Sequence, residues 1–219
     1  MFIFTEENIS SIKNTVYTKD GVKDKHAKKI EGIKDGLLKD FNYSKYKVKN
    51  PPKNTSMTVY NELQFLKDLP EDNSYVEEHD DIEKVFEQVC KENNVEYPKE
   101  LVENLLKSAA GIILDLKYHY NRPRPYMLAK EFEIPLDTNK IKNTTADSPS
   151  YPSGHAAQGI LISSYLAEIN PSHKMEFMKL GKDIARSRIV AKVHYPSDVR
   201  FGEIIGNDIF IYLNKNQLI

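Results

Sequence analysis

The stretch Leu101-Val102-Glu103-Asn104-Leu105-Leu106-Lys107-Ser108-Ala109-Ala110-Gly111-Ile112-Ile113-Leu114-Asp115-Leu116 carries the clearest structural signal in the chain. Its apolar positions, Leu101, Val102, Leu105, Leu106, Ala109, Ile112, Ile113 and Leu116, recur at the spacing that puts them on one face of a helix. Pro98 suits the first turn, where a missing N–H costs nothing. Pro123 disfavours helical geometry at Arg122, so the helix is expected to end or kink there, with Lys117 in its last turns.

Outward from this helix the signals stay helical. Thr55 or Ser56 can cap a helix running to Asp68, stopped by Pro70. The acidic run Glu71–Asp81 reads as a loop leading into a helix that reaches Asn93. Further helices are expected over about 155–168, 173–192 and 197–213, after a proline-bearing loop over 132–153. No run alternates with period two and no repeat is visible, so the expected fold class is all-α. Residues 1–55, with lysines scattered among acidic residues, read as an arm or short helices packed on the core, and residues 56–219 as the main helical domain.

Three patches stand apart chemically. They are Lys117 through Arg124-Pro125, then Pro152-Ser153-Gly154-His155, then Ser187-Arg188 followed by His194 and Asp198. The chain has 31 Lys+Arg, yet only Arg122, Arg124, Arg186, Arg188 and Arg200 are arginine, and four of these lie in or beside the patches. A guanidinium fork suits bidentate grip of an oxyanion in a way lysine cannot copy. Arg122, Arg186 and Arg200 are equally well read as structural ion-pair partners. Ser153 is a natural N-cap, Gly154 allows close backbone approach, and a helix N-terminus there is a ready anion site. His155 on that turn can donate a proton to a leaving group. Pro196 places His194 just before another helix start, whose dipole disfavours imidazolium. Asp198, four residues on, can hold the Nδ1 proton and leave Nε2 as nucleophile. A metal site at His194 and Asp198 is disfavoured by the neighbouring cations, so no metal is expected.

The bulk numbers remove other classes. The net charge is −1, which gives no overall case for nucleic-acid binding. No apolar run approaches the roughly 18–20 residues of a membrane helix. Cys90 is the sole cysteine, and Glu6 and Glu7 follow the apolar start at once. A reducing, cytoplasmic setting without a signal peptide is therefore expected.

In order and internal spacing the patches match KxxxxxxRP, PSGH and SRxxxxxHxxxD. That pattern resembles the signature of the type 2 phosphatidic acid phosphatase superfamily, shared with class A bacterial acid phosphatases and vanadium haloperoxidases. Lys117, Arg124, Pro125, Pro152, Ser153, Gly154, His155, Ser187, Arg188, His194 and Asp198 occupy every fixed position. Ser150–His155 and Leu166–Pro171 look most like the soluble class A enzymes. The resemblance implies a helical bundle of that type and a metal-free phosphatase acting on a small phosphorylated substrate through a phosphohistidine. In it His194 attacks, Asp198 orients, His155 is acid and then base, and Lys117, Arg124, Ser153, Gly154 and Arg188 hold phosphate. No cofactor is expected, although vanadate would inhibit such a site, or serve as cofactor if the chain were a haloperoxidase. A phosphate-binding protein without catalysis is the third reading, and the His194–Asp198 pair argues against it. Such bundles commonly dimerise, so a homodimer is an expected option.

Overall fold

A computed structural model describes residues 5–136 and 146–219. The middle of the loop expected over 132–153 lies outside the described residues. The described chain is all-α, in the order α1 (Glu6–Asn14), α2 (Asp24–Glu31), α3 (Met57–Asp68), α4 (Asn73–Glu78), α5 (Ile82–Glu92), α6 (Lys99–Tyr120), α7 (Pro125–Glu131), α8 (Gly154–Ile169), α9 (Lys174–Val190) and α10 (Pro196–Lys215), with short 3-10 turns between some of them. No described helix is long and apolar enough to cross a membrane.

Local chemistry sets the helix ends. The Ser56 hydroxyl accepts from the Val59 N–H and starts α3, and Asp81 does the same for α5 through the Lys84 N–H. The α6 helix ends where Asn121 turns left-handed, at φ 49°, and its N–H bonds the Lys117 carbonyl. Pro123 then keeps the chain out of the helix. The acidic run is not all loop, because α4 occupies Asn73–Glu78. Pro125 begins the short helix α7, which is not among the helices expected from the sequence.

The α8 helix is apolar on all sides because it sits in the middle, against α6, α9 and α10. Val102, Leu105, Ala109, Ile112, Ile113 and Leu116 of α6 meet Leu161, Ile162 and Leu166 of α8 and Ile205 and Ile209 of α10 in the main core. The α8–α10 contact is close enough to need glycine. A Cβ on Gly202 would come within 2.4 Å of the Ser153 carbonyl oxygen, so the backbone at the start of α8 rests directly on α10.

The first 55 residues do not stand off from this core. Leu38, Phe41 and Tyr46 are buried in the main cluster, and Ile12 packs with Val59, Leu63, Leu66 and Leu128 in a second one. Helix α2 lies along α6, and α1 lies against α7.

Candidate active site

Four element ends converge: the last turn of α6, the start of α7, the N-terminus of α8, and the junction between α9 and α10. They carry Lys117, Arg124, Ser153 with Gly154 and His155, and Arg188 with His194 and Asp198. Lys117, Arg124, Ser153, Arg188, His194 and Asp198 are all buried.

Asp198 is the hub. Its Oδ1 receives Arg122 Nη1 at 2.5 Å, and its Oδ2 receives the Ser150 hydroxyl at 2.5 Å and the Tyr195 N–H at 3.0 Å. His194 Nδ1 lies 3.2 Å from the same Oδ2. Burial alone would raise the Asp198 pKa, but Arg122 and then His194 outweigh it and hold the carboxyl well below the usual range. The Asp198 carbonyl also accepts from the Ser153 N–H at 3.0 Å, which ties the α8 start to α10.

The tautomer of His194 follows from its neighbours. Arg124 Nη1 sits 3.0 Å from His194 Nε2. A guanidinium only donates, so Nε2 must present its lone pair and Nδ1 must carry the proton toward Asp198. Burial and then the Arg124 charge push the His194 pKa well below its ordinary value, which keeps the ring neutral.

Arg124 is fixed by carbonyls, with Nε to Ser148 at 2.9 Å and Nη1 to Val193 at 2.8 Å. Burial lowers its pKa to about 10, still cationic at neutral pH. Lys117 Nζ donates to the Pro149 and Ser150 carbonyls at 2.7 and 3.3 Å, and burial followed by the Arg124 charge pulls its pKa well down. Among the described residues neither Lys117 nor Arg124 has a carboxylate within ion-pair distance. Arg122 spends its charge on Asp198 and Glu62, and Arg188 meets Asp80 Oδ1 at 2.5 Å. Lys117 and Arg124, basic groups buried without a carboxylate partner among the described residues, make a place where an anion is favoured.

His155 Nε2 lies 3.0 Å from the Asp80 carbonyl oxygen and 3.7 Å from its carboxylate. Burial, then the charge of Arg188, push its pKa down to about 3. With Lys117, Ser148 and Gly154, His155 opens on a cavity of about 330 Å³, whose far wall is Lys25, His26 and Lys29 of α2. Arg124 and His194 do not line this cavity; they join it through Ser148, whose carbonyl accepts from Arg124 Nε. A Cβ on Gly154 would sit 3.7 Å from Ile113, an ordinary contact, so protein packing does not demand glycine there and the tight approach falls on Gly202 instead.

Arg122, which the sequence left open between oxyanion grip and ion pairing, takes the ion-pair role, with its guanidinium 3.9 Å from the Tyr195 ring. Several members were not singled out by the sequence. Glu62, which accepts from the Ser197 N–H at 2.7 Å, and Ser150 buttress Asp198 from α3 and the preceding loop. Asp80 sat inside an acidic run with nothing to distinguish it. The α2 residues lay in the least readable part of the chain.

The described residues thus form an all-helical bundle with buried cations grouped around a histidine–aspartate pair at a helix N-terminus. The model of the PAP2 superfamily matches residues 102–215, and the chain belongs to that superfamily. It is 34% identical over 90 residues to a non-specific acid phosphatase of Salmonella typhimurium, covering 41% of this chain and 35% of that one. It is 32% identical over 107 residues to an acid phosphatase of Zymomonas mobilis, covering 49% and 39%. The chain thus spans well under half the length of these curated relatives. A solved structure of a bacterial vanadium-dependent iodoperoxidase superposes with a TM-score of 0.46 at 15% identity, covering 94% of this chain and 53% of that one.

Proposed function

We propose that the protein is a phosphoric monoester hydrolase that works without metal through a phosphohistidine. The observation that carries this reading is the Nε2 lone pair of His194, held by Arg124 on one side of the ring and Asp198 on the other. The acid phosphatase relatives support the reaction class.

In the first step His194 Nε2 bonds to phosphorus while the ester P–O bond breaks. Asp198 stabilises the imidazolium that forms. The equatorial oxygens lie against Lys117, Arg124, Arg188, the Ser153 hydroxyl and the Gly154 N–H, where spreading charge is met by donors already in place. The departing oxygen takes its proton from His155. In the free site Arg188 helps to keep His155 neutral, but a bound phosphate dianion offsets that charge and raises the proton affinity of the ring. In the second step His155 removes a proton from water, water oxygen bonds to phosphorus, and the P–N bond breaks to return the pair to Nε2.

The test is phosphate release from p-nitrophenyl phosphate by the purified protein and by His194→Ala. Loss of a nucleophile typically costs on the order of 10³–10⁶ in rate. Turnover in His194→Ala equal to the unaltered protein would defeat the mechanism.

A further inference from the structure

We propose that α2 gives this site a subsite for a second anionic group on the leaving alcohol, with Lys29 as its specificity-determining cation. The inference rests on the phosphatase reading above and concerns its substrate class.

His155, the residue facing the leaving group in that reading, borders two cavities. One is the 330 Å³ space under α2; the other, of about 510 Å³, lies toward α5. Lys29, Ala110 and Gln158 border both. The α5 side carries Asp80, Asp81, Glu83 and Glu103 against Lys107 and the shared Lys29, so carboxylates outnumber cations there and an anionic alcohol is disfavoured. On the α2 side Lys25 is paired with Asp147, and Lys117 faces the transferred phosphoryl group. Lys29 is exposed and has no carboxylate within ion-pair distance among the described residues. It is therefore the uncommitted positive charge at the mouth of the leaving-group side.

The position of Lys29 is built into the fold. A Cβ on Gly111 would fall 2.6 Å from the Lys29 carbonyl oxygen, so α6 spends a glycine to let α2 approach at that residue. Both helices are thereby held at the cavity wall, which a mobile arm would not guarantee. An ammonium is a compact point charge without a fork, so it selects for negative charge on the alcohol rather than for one planar group.

The matched probes are 3-phosphoglycerate and glycerol 3-phosphate, which differ by a carboxylate against a hydroxymethyl group. The readout is the ratio of kcat/KM for the first over the second. In Lys29→Gln the ratio should fall about threefold, the size expected of an exposed charge pair, and in Lys29→Glu about tenfold or more. For the unaltered protein it should also fall with added KCl, and flatten in Lys29→Gln. A helix-packing role for Lys29 would change both substrates together and leave the ratio alone. An unchanged ratio in both variants overturns the subsite while leaving the phosphatase reading intact. No turnover of either probe or of p-nitrophenyl phosphate by the unaltered protein overturns both.

Discussion

Arg122 Nη1 meets Asp198 Oδ1 at 2.5 Å, both side chains buried, and this pair keeps Asp198 charged in the protein interior. Asp198 in turn sets the proton of His194. Arg122 is thus a positioning residue two steps from the lone pair at Nε2. Removing one partner of a buried pair leaves a bare charge, which costs about 3–5 kcal/mol. Arg122→Ala should lose that much in urea unfolding. Arg122→Lys should recover part of the stability but not the Ser197 and Glu62 contacts made by the same fork. Stability in Arg122→Ala within 1 kcal/mol of the unaltered protein would contradict the role given to the pair.

The acid side of the stability profile follows from the two histidines. Both His155 and His194 have pKa values lowered by burial, His155 to about 3. A histidine with a lowered native pKa stays neutral while the unfolded chain takes a proton below about 6.5. The unfolded state then binds more protons, so stability falls as pH drops below that value and does so until the native pKa is reached. For His155 the loss between pH 7 and pH 5 is roughly 2 kcal/mol, and His194 adds to it in the same direction. His155→Ala should lose about that much less over this range, measured by urea unfolding at the two pH values. Equal losses in both proteins would mean that His155 is protonated in the native site at pH 5.

Gly202 offers a steric test remote from the chemistry. The added methyl of Gly202→Ala meets the Ser153 carbonyl oxygen and the Ala156 Cβ, neither of them a flexible group. Overpacking of this kind costs about 1–3 kcal/mol, and the α8 N-terminus must shift to relieve it. Lower stability together with a lower kcat is expected, read by thermal unfolding and by p-nitrophenyl phosphate hydrolysis. An unchanged kcat would show that the α8 start does not need its present seat on α10.

The sequence exposed those parts of the site in which chemistry and spacing coincide. His194 and Asp198 stand four apart around a helix start, and Ser153 announces a cap, so local rules reach them. The apolar face of α6 was legible for the same reason, since one continuous stripe must meet another element. Asp80 was hidden because its contact with Arg188 spans distant chain segments and its neighbours are equally acidic. The bounds of α1 and α2 were hidden within a segment read only as an arm or short helices, because their buried residues, Ile12 and His26, are isolated among polar ones and offer no stripe. Helix α7 left only a weak local signal, a proline that can open a helix followed by too short an apolar set to make a stripe.

The charge arrangement also carries an expectation about ions. Lys117 and Arg124 already supply positive charge for a phosphate, so hydrolysis should persist in EDTA. Vanadate should inhibit competitively, because its five-coordinate form matches the shape and charge spread of the transferring phosphoryl group. Loss of turnover in EDTA with recovery on adding a divalent ion would remove metal independence. Indifference to vanadate would count against an oxyanion cradle.

The last expectation separates the two histidines. His194→Ala removes the atom that bonds phosphorus, so it should leave neither turnover nor covalent phosphate. His155→Ala removes a proton carrier and leaves Nε2 of His194 in place beside Arg124. With p-nitrophenyl phosphate the departing phenolate needs little proton help, so the first step should still run. The second step lacks the base that activates water, and a phosphohistidine should accumulate. It should be labile in acid and stable in alkali, and rapid quench with mass spectrometry should place it on His194. A burst of p-nitrophenolate approaching one equivalent of protein should accompany it. Phosphate trapped on a different residue would refute nucleophilic attack by His194 even if the protein proved to be a phosphatase. Steady turnover by His155→Ala with no burst and no trapped phosphate would remove His155 from the second step.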